Sequence, residues 1–116
     1  MSLNFFEMTA FALLGAALVL ADMGCADIWI AETNALRHGL LSRAGNFKIY
    51  NPLEDAGPGE ASAHVVVDAF GGEATRASSS ALVKPGGVIV HIGLASGAGG
   101  LDVRRMTLQE VTFIGT

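Results

Sequence analysis

The sequence predicts an α/β fold built on a doubly wound parallel sheet. Two apolar runs carry this prediction: residues 65–67, which end at Asp68 before two glycines, and residues 88–92, which end at Gly93. Strands buried on both faces of a sheet read as continuous Val and Ile runs, and parallel neighbours need a helical crossover between them. The segment between the two runs is helix-like, so together they form one βαβ unit.

The other elements follow from local signals. A helix is expected over residues 7–23, which are rich in Ala and Leu and are followed by Gly24. Asp27–Ala31 reads as a short strand, and Thr33 or Asn34 can cap a second helix that runs to Ala44. The remaining prediction is a strand at 47–50, a polar loop at 53–63, a strand at 65–68, a helix at 73–83, a strand at 87–92, a glycine-rich connection at 96–100, a helical turn within 101–109 and a last strand at 111–114.

The start of the chain leaves two alternatives. Nucleotide-binding sheets of this kind begin with a central strand that feeds a glycine-rich turn into the first helix. Only residues 2–6 are available for that strand, and no glycine occurs at residues 8–13. Either residues 3–6 form a short central strand followed by a degenerate turn, or residues 5–23 form one long helix. We favour the long helix, so the first strand and the glycine loop are expected to be degenerate or missing.

Length and composition narrow the class of protein. The 116 residues suit one domain, 1–116, and a hydrophobic fraction of 51% with 16% charged residues is typical of a globular chain. A net charge of -4 with only seven Lys and Arg argues against a nucleic-acid partner. The single cysteine, Cys25, excludes an internal disulfide and fits a cytoplasmic location.

The apolar stretch at residues 10–21 raises the question of a membrane segment. A spanning helix needs about 20 apolar residues, and this stretch is much shorter. A signal peptide would carry Lys or Arg before the apolar run, where this chain has Glu7. We therefore expect a buried helix and no membrane partner.

Three segments of the second half of the chain carry a family resemblance. They are Gly-Gly-Glu-Ala-Thr-Arg at 71–76, Lys-Pro-Gly-Gly-Val-Ile-Val-His-Ile-Gly-Leu at 84–94 and Leu-Gln-Glu-Val-Thr-Phe-Ile-Gly-Thr at 108–116. These segments resemble the cofactor-binding half of the medium-chain dehydrogenase/reductase superfamily and are most similar to its zinc-containing alcohol and polyol dehydrogenases. The resemblance covers about residue 10 to the C-terminus and is strongest after Asp68. It implies a Rossmann-like fold, an NAD cofactor and, in the intact enzyme, hydride transfer between an alcohol carbon and the nicotinamide.

The resemblance matches Glu32 to the acid that ends the second strand of the family and accepts hydrogen bonds from both adenosine ribose hydroxyls. Such a carboxylate favours two O–H donors and repels a 2′-phosphate, which favours NAD over NADP. Glu32 also lies about 20 residues beyond the expected phosphate turn, which is the spacing of the Gly-x-Gly-x-x-Gly dinucleotide-binding fingerprint. Arg37 matches a basic residue that flanks the ribose. Alternatively, Glu32 only stabilises the N-terminus of the next helix.

Two further strand ends match cofactor-contacting segments of the family. Asp68, Ala69, Phe70 and Gly71 match the segment that lines the adenine and ribose side of the groove. Ile92, Gly93 and Leu94 match the segment whose backbone approaches the nicotinamide amide, where glycine removes the Cβ that would block a flat ligand. The alternatives are that Asp68 only starts a turn and that Gly93 only forms a tight turn after a strand.

The chain also departs from the family. The Gly-x-Gly-x-x-Gly glycines are expected where this chain has Met8, Ala10 and Leu13, and without them backbone N–H groups cannot close on a pyrophosphate. The family's N-terminal catalytic domain, which supplies the zinc ligands and most of the substrate pocket, is missing from this sequence. Cys25 and the three histidines fit no zinc-binding spacing. We therefore expect a truncated domain with no catalytic residues and no zinc site, inactive alone.

Two other functions stay open. A non-catalytic module could self-associate as a homodimer, either through the edge of the last strand at 111–114 or by a swap of the apolar helix at 10–21. A methyltransferase-like domain is the other alternative, because residues 82–90 resemble the post-strand signature of S-adenosylmethionine enzymes. The segments at 71–76 and 108–116 belong to the dehydrogenase pattern and not to that one.

Overall fold

The described residues form six parallel strands, and helices lie in four of the five connections between them. The computed structural model describes residues 2–6 and 10–116, with side chains from residue 16 onward. The elements are β1 Ser2–Phe6, α1 Ala10–Asp22, β2 Asp27–Ala31, α2 Ala35–Ala44, β3 Lys48–Tyr50, β4 Ala63–Asp68, α3 Glu73–Leu82, β5 Val83–His91, α4 Val103–Leu108 and β6 Thr112–Gly115. The strands lie in the order β3-β2-β1-β4-β5-β6, and every neighbouring pair is parallel. The predicted Rossmann-like doubly wound α/β fold is confirmed.

Each face of the sheet carries its own core because successive strand residues point to opposite faces. In β2, Ile28 and Ile30 enter one core, whereas Trp29 and Ala31 enter the other. The first core also contains Ala17, Cys25, Leu41 and Val67, and the second contains Tyr50, Ala63, Val66, Leu82, Val83 and Ile89. Cys25 is therefore a small buried residue of the first core.

The expectation of one long helix over residues 5–23 is wrong. Ser2–Phe6 is a strand at the centre of the sheet, and it pairs with β2 on one side and β4 on the other. Leu3, for example, lies opposite both Ile28 and Val65. Hydrogen bonds to two neighbouring strands stabilise this segment, and a local helix propensity that reflects only sequence neighbours carries no information about them. The degenerate turn expected after this strand includes residues 7–9, which lie outside the described residues.

The fifth strand begins earlier than predicted. We expected Pro-Gly-Gly to precede a strand at 87–92, yet β5 already starts at Val83 and includes Pro85 and Gly86. Ala63 pairs with Val83 and Val65 with Val88, so the register shifts by three residues between these two pairs. Gly86 adopts a φ of 74° there, and its N–H donates to the Gln109 carbonyl. Glycine and proline thus form an irregularity inside the strand.

Apart from β5, the elements from β2 onward lie within two residues of their predicted bounds, and β2 and α2 match them at both ends. The predicted helix at 7–23 is described from Ala10 and ends at Asp22, and residues 7–9 lie outside the described residues. Of its two candidate caps, Asn34 is the one whose side chain accepts the Leu36 N–H. Among the described residues, no helix is long and apolar enough to cross a membrane.

Candidate functional site

The strand ends that carry the predicted site residues lie at the carboxyl edge of the sheet, next to the point where the strand order reverses. β1 lies between β2 and β4, and the register places Phe6 opposite both Ala31 and Asp68. Asp68 in turn lies opposite His91. Because parallel strands end at the same edge, Glu32 and the residues after Asp68 and His91 are brought to the carboxyl ends of neighbouring strands. Open α/β sheets bind ligands in the crevice at such a reversal.

Glu32 is fully buried at the end of β2, and its contacts connect it to the start of α2. Its N–H donates to the Tyr50 carbonyl at 2.9 Å. Its Oε1 accepts the Asn34 N–H at 3.1 Å and lies 3.5 Å from Nη1 of Arg37. Nε2 of His38 lies 2.6 Å from the Glu32 carbonyl oxygen. The carboxylate therefore does stabilise the N-terminus of α2, and any ribose role must coexist with that one.

Asp68 is also fully buried, and its carboxylate organises the turn between β4 and α3. Oδ1 accepts the N–H groups of Phe70 at 3.1 Å and Gly71 at 2.8 Å. Oδ2 accepts the Thr75 hydroxyl at 2.9 Å and lies 3.9 Å from Nε2 of His91. An aspartate that bonds N–H groups two and three residues ahead forms the local turn described for such side chains. The turn alternative explains these contacts, and a direct cofactor contact of Asp68 stays a prediction.

The segments after β4 and β5 cross with their backbones in contact. The N–H of Gly93 donates to the Asp68 carbonyl, and that of Ser96 donates to the Gly71 carbonyl. A Cβ atom on Gly93 would overlap the backbone of Phe70. Glycine at position 93 is thus required by the packing of the chain itself, and no ligand is needed to explain it.

Apolar side chains from these segments remain exposed beside the crossing. Phe70 and Ile92 are partly exposed, and Leu94 is 91% exposed, whereas Ala69 is buried. Phe70, Ile92 and Leu94 therefore leave apolar surface open to solvent here, and their contact with a cofactor stays a prediction.

Arg76 is a residue that the site prediction missed. It lies on α3, only 5% of its surface is exposed, and its guanidinium donates to backbone and hydroxyl oxygens of the loop at 96–99 and of Gly71. Every oxygen that accepts a hydrogen bond from Arg76 is neutral. A search of the sequence for an acidic partner therefore would not have found this residue. The only available signal is a basic residue in the first turns of a helix together with a later glycine-rich loop.

A cleft of about 630 Å³ borders this loop. Arg76, His91 and Phe113 line it together with residues of the loop, and the rings of His91 and Phe113 are 5.3 Å apart. Nε2 of His91 is buried and has no hydrogen-bond partner among the described atoms. In the part of the chain that the structure describes, no group of three or more His, Cys, Asp or Glu side chains could hold a metal ion.

Several solved enzymes share this fold. L-idonate 5-dehydrogenase from Escherichia coli superposes with a TM-score of 0.85 at 16% identity, over 99% of this chain and 34% of that enzyme. An alcohol dehydrogenase from Thermus sp. ATN1 gives 0.86 at 19% identity, over 99% and 35%. An oxidoreductase from Salmonella enterica in complex with NADP gives 0.79 at 22% identity, over 98% and 36%. The chain spans about a third of the length of these enzymes. Comparison with models of known families and with curated proteins finds no match.

Proposed function

We propose that this chain is the cofactor-binding domain of a zinc-type, NAD-dependent alcohol or polyol dehydrogenase. The observation that carries the proposal is the buried Glu32 carboxylate at the end of β2, one strand from the reversal in strand order. A carboxylate at this position of a dinucleotide-binding sheet accepts ribose hydroxyls. The structural neighbours support the same class of chemistry, since two of them carry dehydrogenase names and a third was solved with NADP.

The residues present fit the adenosine end of a dinucleotide. Glu32 would accept the ribose hydroxyls, and Arg37, whose side chain is 34% exposed, would swing away from the carboxylate to admit them. The nicotinamide would supply the hydride-accepting carbon. At the pyrophosphate the fit is poorer, because Met8, Ala10 and Leu13 replace the three glycines. We therefore expect the chain to bind the dinucleotide with reduced affinity.

Glu32 also sets the expected choice of cofactor. A 2′-phosphate would bring about two negative charges next to a buried carboxylate, and like charges in such surroundings repel strongly. NAD therefore binds in preference to NADP in this proposal. Arg37 offers only partial compensation, because its guanidinium already lies within 3.5 Å of Glu32.

Turnover is proposed only for a complete enzyme. The zinc ion that polarises the alcohol oxygen and most of the substrate pocket would come from outside this chain, which spans about a third of its structural neighbours. The isolated chain is expected to bind cofactor without oxidising any alcohol. Its proposed place of action is the cytoplasm.

Calorimetric titration of the folded chain with NADH, NADPH and S-adenosylmethionine tests the proposal. We expect saturable NADH binding that Glu32→Ala weakens by about tenfold, with NADPH weaker by a similar factor. Glu54→Ala, which removes an exposed acid of the 51–56 turn, is the matched control and should leave NADH binding unchanged. A folded sample that binds none of the three ligands overturns the proposal, and tighter binding of S-adenosylmethionine favours the methyltransferase alternative.

Self-association is the second candidate function, and the position of β6 favours it. This strand lies at one edge of the described sheet, and Ile114 on it is 47% exposed. An edge strand with free backbone groups can pair with a second copy of itself. We expect a homodimer in sedimentation equilibrium that Ile114→Lys weakens. A swap of α1 would instead give a dimer that is insensitive to Ile114→Lys, and a monomer at all concentrations overturns this candidate.

A further inference from the structure

We propose that Arg76 is a positioning residue that holds the loop after β5 in the shape required by the nicotinamide half of the cofactor. This inference rests on the proposed dinucleotide function and adds to it a residue that touches no ligand. Arg76 would act through the backbone of residues 93–100, because its hydrogen bonds connect this loop to α3. The argument depends on its hydrogen bonds, its burial and its place in the sheet.

The guanidinium of Arg76 uses all its donors on the protein. Its Nε donates to the Gly99 carbonyl, its Nη1 to the carbonyls of Gly71 and Ser96, and its Nη2 to the Ala98 carbonyl and the Ser96 hydroxyl, at 2.5 to 3.0 Å. Arginine carries five N–H donors, and each has an acceptor here. The loop is therefore bound at three residues by one side chain.

Because the Arg76 guanidinium is buried, its hydrogen bonds to the loop must all be kept. Arg76 is 5% exposed, and none of its hydrogen-bond acceptors is a carboxylate. A buried charge is costly unless its hydrogen bonds are made, so a loop that moved away would leave the guanidinium unsatisfied. Gly99 and Gly100 allow the loop to lie this close to α3. Both have φ near 90°, and a Cβ on Gly100 would overlap the Glu73 carbonyl oxygen.

Arg76 connects the two strand ends of only one half of the sheet. Its Nη1 bridges Gly71, just after β4, and Ser96, just beyond β5, and the Ser96 N–H donates to the same Gly71 carbonyl. In a doubly wound sheet, each half binds one mononucleotide of the dinucleotide. Glu32 belongs to the half formed by β1, β2 and β3, whereas Arg76 serves the half formed by β4, β5 and β6. A change at Arg76 should therefore affect one end of the cofactor.

The test compares NADH with ADP-ribose, which has the adenosine and phosphates but lacks the nicotinamide. We expect Arg76→Lys, which keeps the charge with fewer donors, to weaken NADH binding about tenfold and ADP-ribose binding less than twofold. Ser96→Ala removes one hydrogen bond at an exposed residue and should weaken NADH binding about threefold, which provides a test even where Arg76→Lys fails to fold. Arg104→Gln, at an exposed arginine of α4, is the control and should change neither ligand.

Amide hydrogen exchange provides a readout without ligand. In Arg76→Lys and Ser96→Ala the backbone amide of residue 96 should exchange faster, whereas the Ile92 amide, which donates to the Asp68 carbonyl, should not. Equal weakening of NADH and ADP-ribose, or no weakening of either, overturns the role of Arg76 while leaving dinucleotide binding intact. A wild-type chain that binds neither NADH nor ADP-ribose overturns both the proposed function and this inference.

Discussion

Gly71 and Gly93 meet backbone to backbone at the carboxyl edge of the sheet, and a Cβ atom on Gly71 would overlap the Gly93 carbonyl oxygen. Gly71 also has a φ of 72°, which a residue with a side chain adopts only with strain. The two glycines follow the ends of β4 and β5, so their contact fixes how closely the two following segments cross. The shape of this edge of the candidate site therefore depends on the absence of two Cβ atoms.

Gly93→Ala should destabilise the fold by about 2 to 4 kcal/mol, because the new methyl group meets backbone atoms of Phe70 that cannot rotate away. Urea unfolding followed by circular dichroism measures this loss. Gly97→Ala is the control in the adjoining loop, since a Cβ there meets nothing within 4 Å. Equal stability of the two variants would contradict the close approach at Gly93.

Thr75→Val should cost about 1 to 2 kcal/mol of folding free energy. The Thr75 hydroxyl donates to the buried Asp68 carboxylate and accepts the Gly72 N–H, so valine leaves two polar groups without a partner. Thr75→Ser keeps the hydroxyl and should recover most of the loss, again measured by urea unfolding. The interpretation fails if serine destabilises the fold as much as valine.

The bounds of a strand or helix could be predicted from the sequence wherever the residues of that element alone decide its conformation. β2 and α2 have their predicted bounds because Asp27–Ala31 is a short apolar run and Gly45 follows the helix. The sequence was insufficient at Ser2–Phe6, where hydrogen bonds to two distant strands decide the conformation. The same limit applies to Pro85, whose place inside β5 depends on a register shift against β4.

The candidate site shows the same division between local and distant causes. The position of Glu32, Asp68 and Gly93 at the carboxyl edge of the sheet could be predicted because each directly follows or ends a strand that the sequence indicates. Their contacts could not, because the Arg37 ion pair and the crossing of Phe70 with Gly93 depend on side-chain and loop conformation. Arg76 was missed for a related reason, since most of its partners are neutral oxygens of the loop at 96–99, at least 20 residues along the chain, and no residue type there indicates them.

Asn34→Ala should destabilise the fold by about 1 kcal/mol, because the Asn34 side chain accepts the Leu36 N–H at the start of α2. Asn34→Ser is the matched comparison, since it keeps a side-chain oxygen that can accept this N–H and should recover most of the loss. Thermal or urea unfolding of the two variants measures the difference. A loss for Asn34→Ser as large as that for Asn34→Ala would contradict the capping role.

Glu32 and Arg37 should prove energetically coupled when they are changed together. Arg37→Gln leaves the fully buried Glu32 carboxylate without the guanidinium at 3.5 Å, and we expect a loss of about 1 to 2 kcal/mol, since the partly exposed arginine is screened by water. Glu32→Gln removes the charge that needs the arginine, so adding Arg37→Gln to it should cost less. Urea unfolding of both single variants and the double variant measures the coupling, which we expect to be about 1 kcal/mol. Strict additivity would mean that the pair contributes nothing to stability and that Arg37 can leave Glu32 freely when a ribose binds.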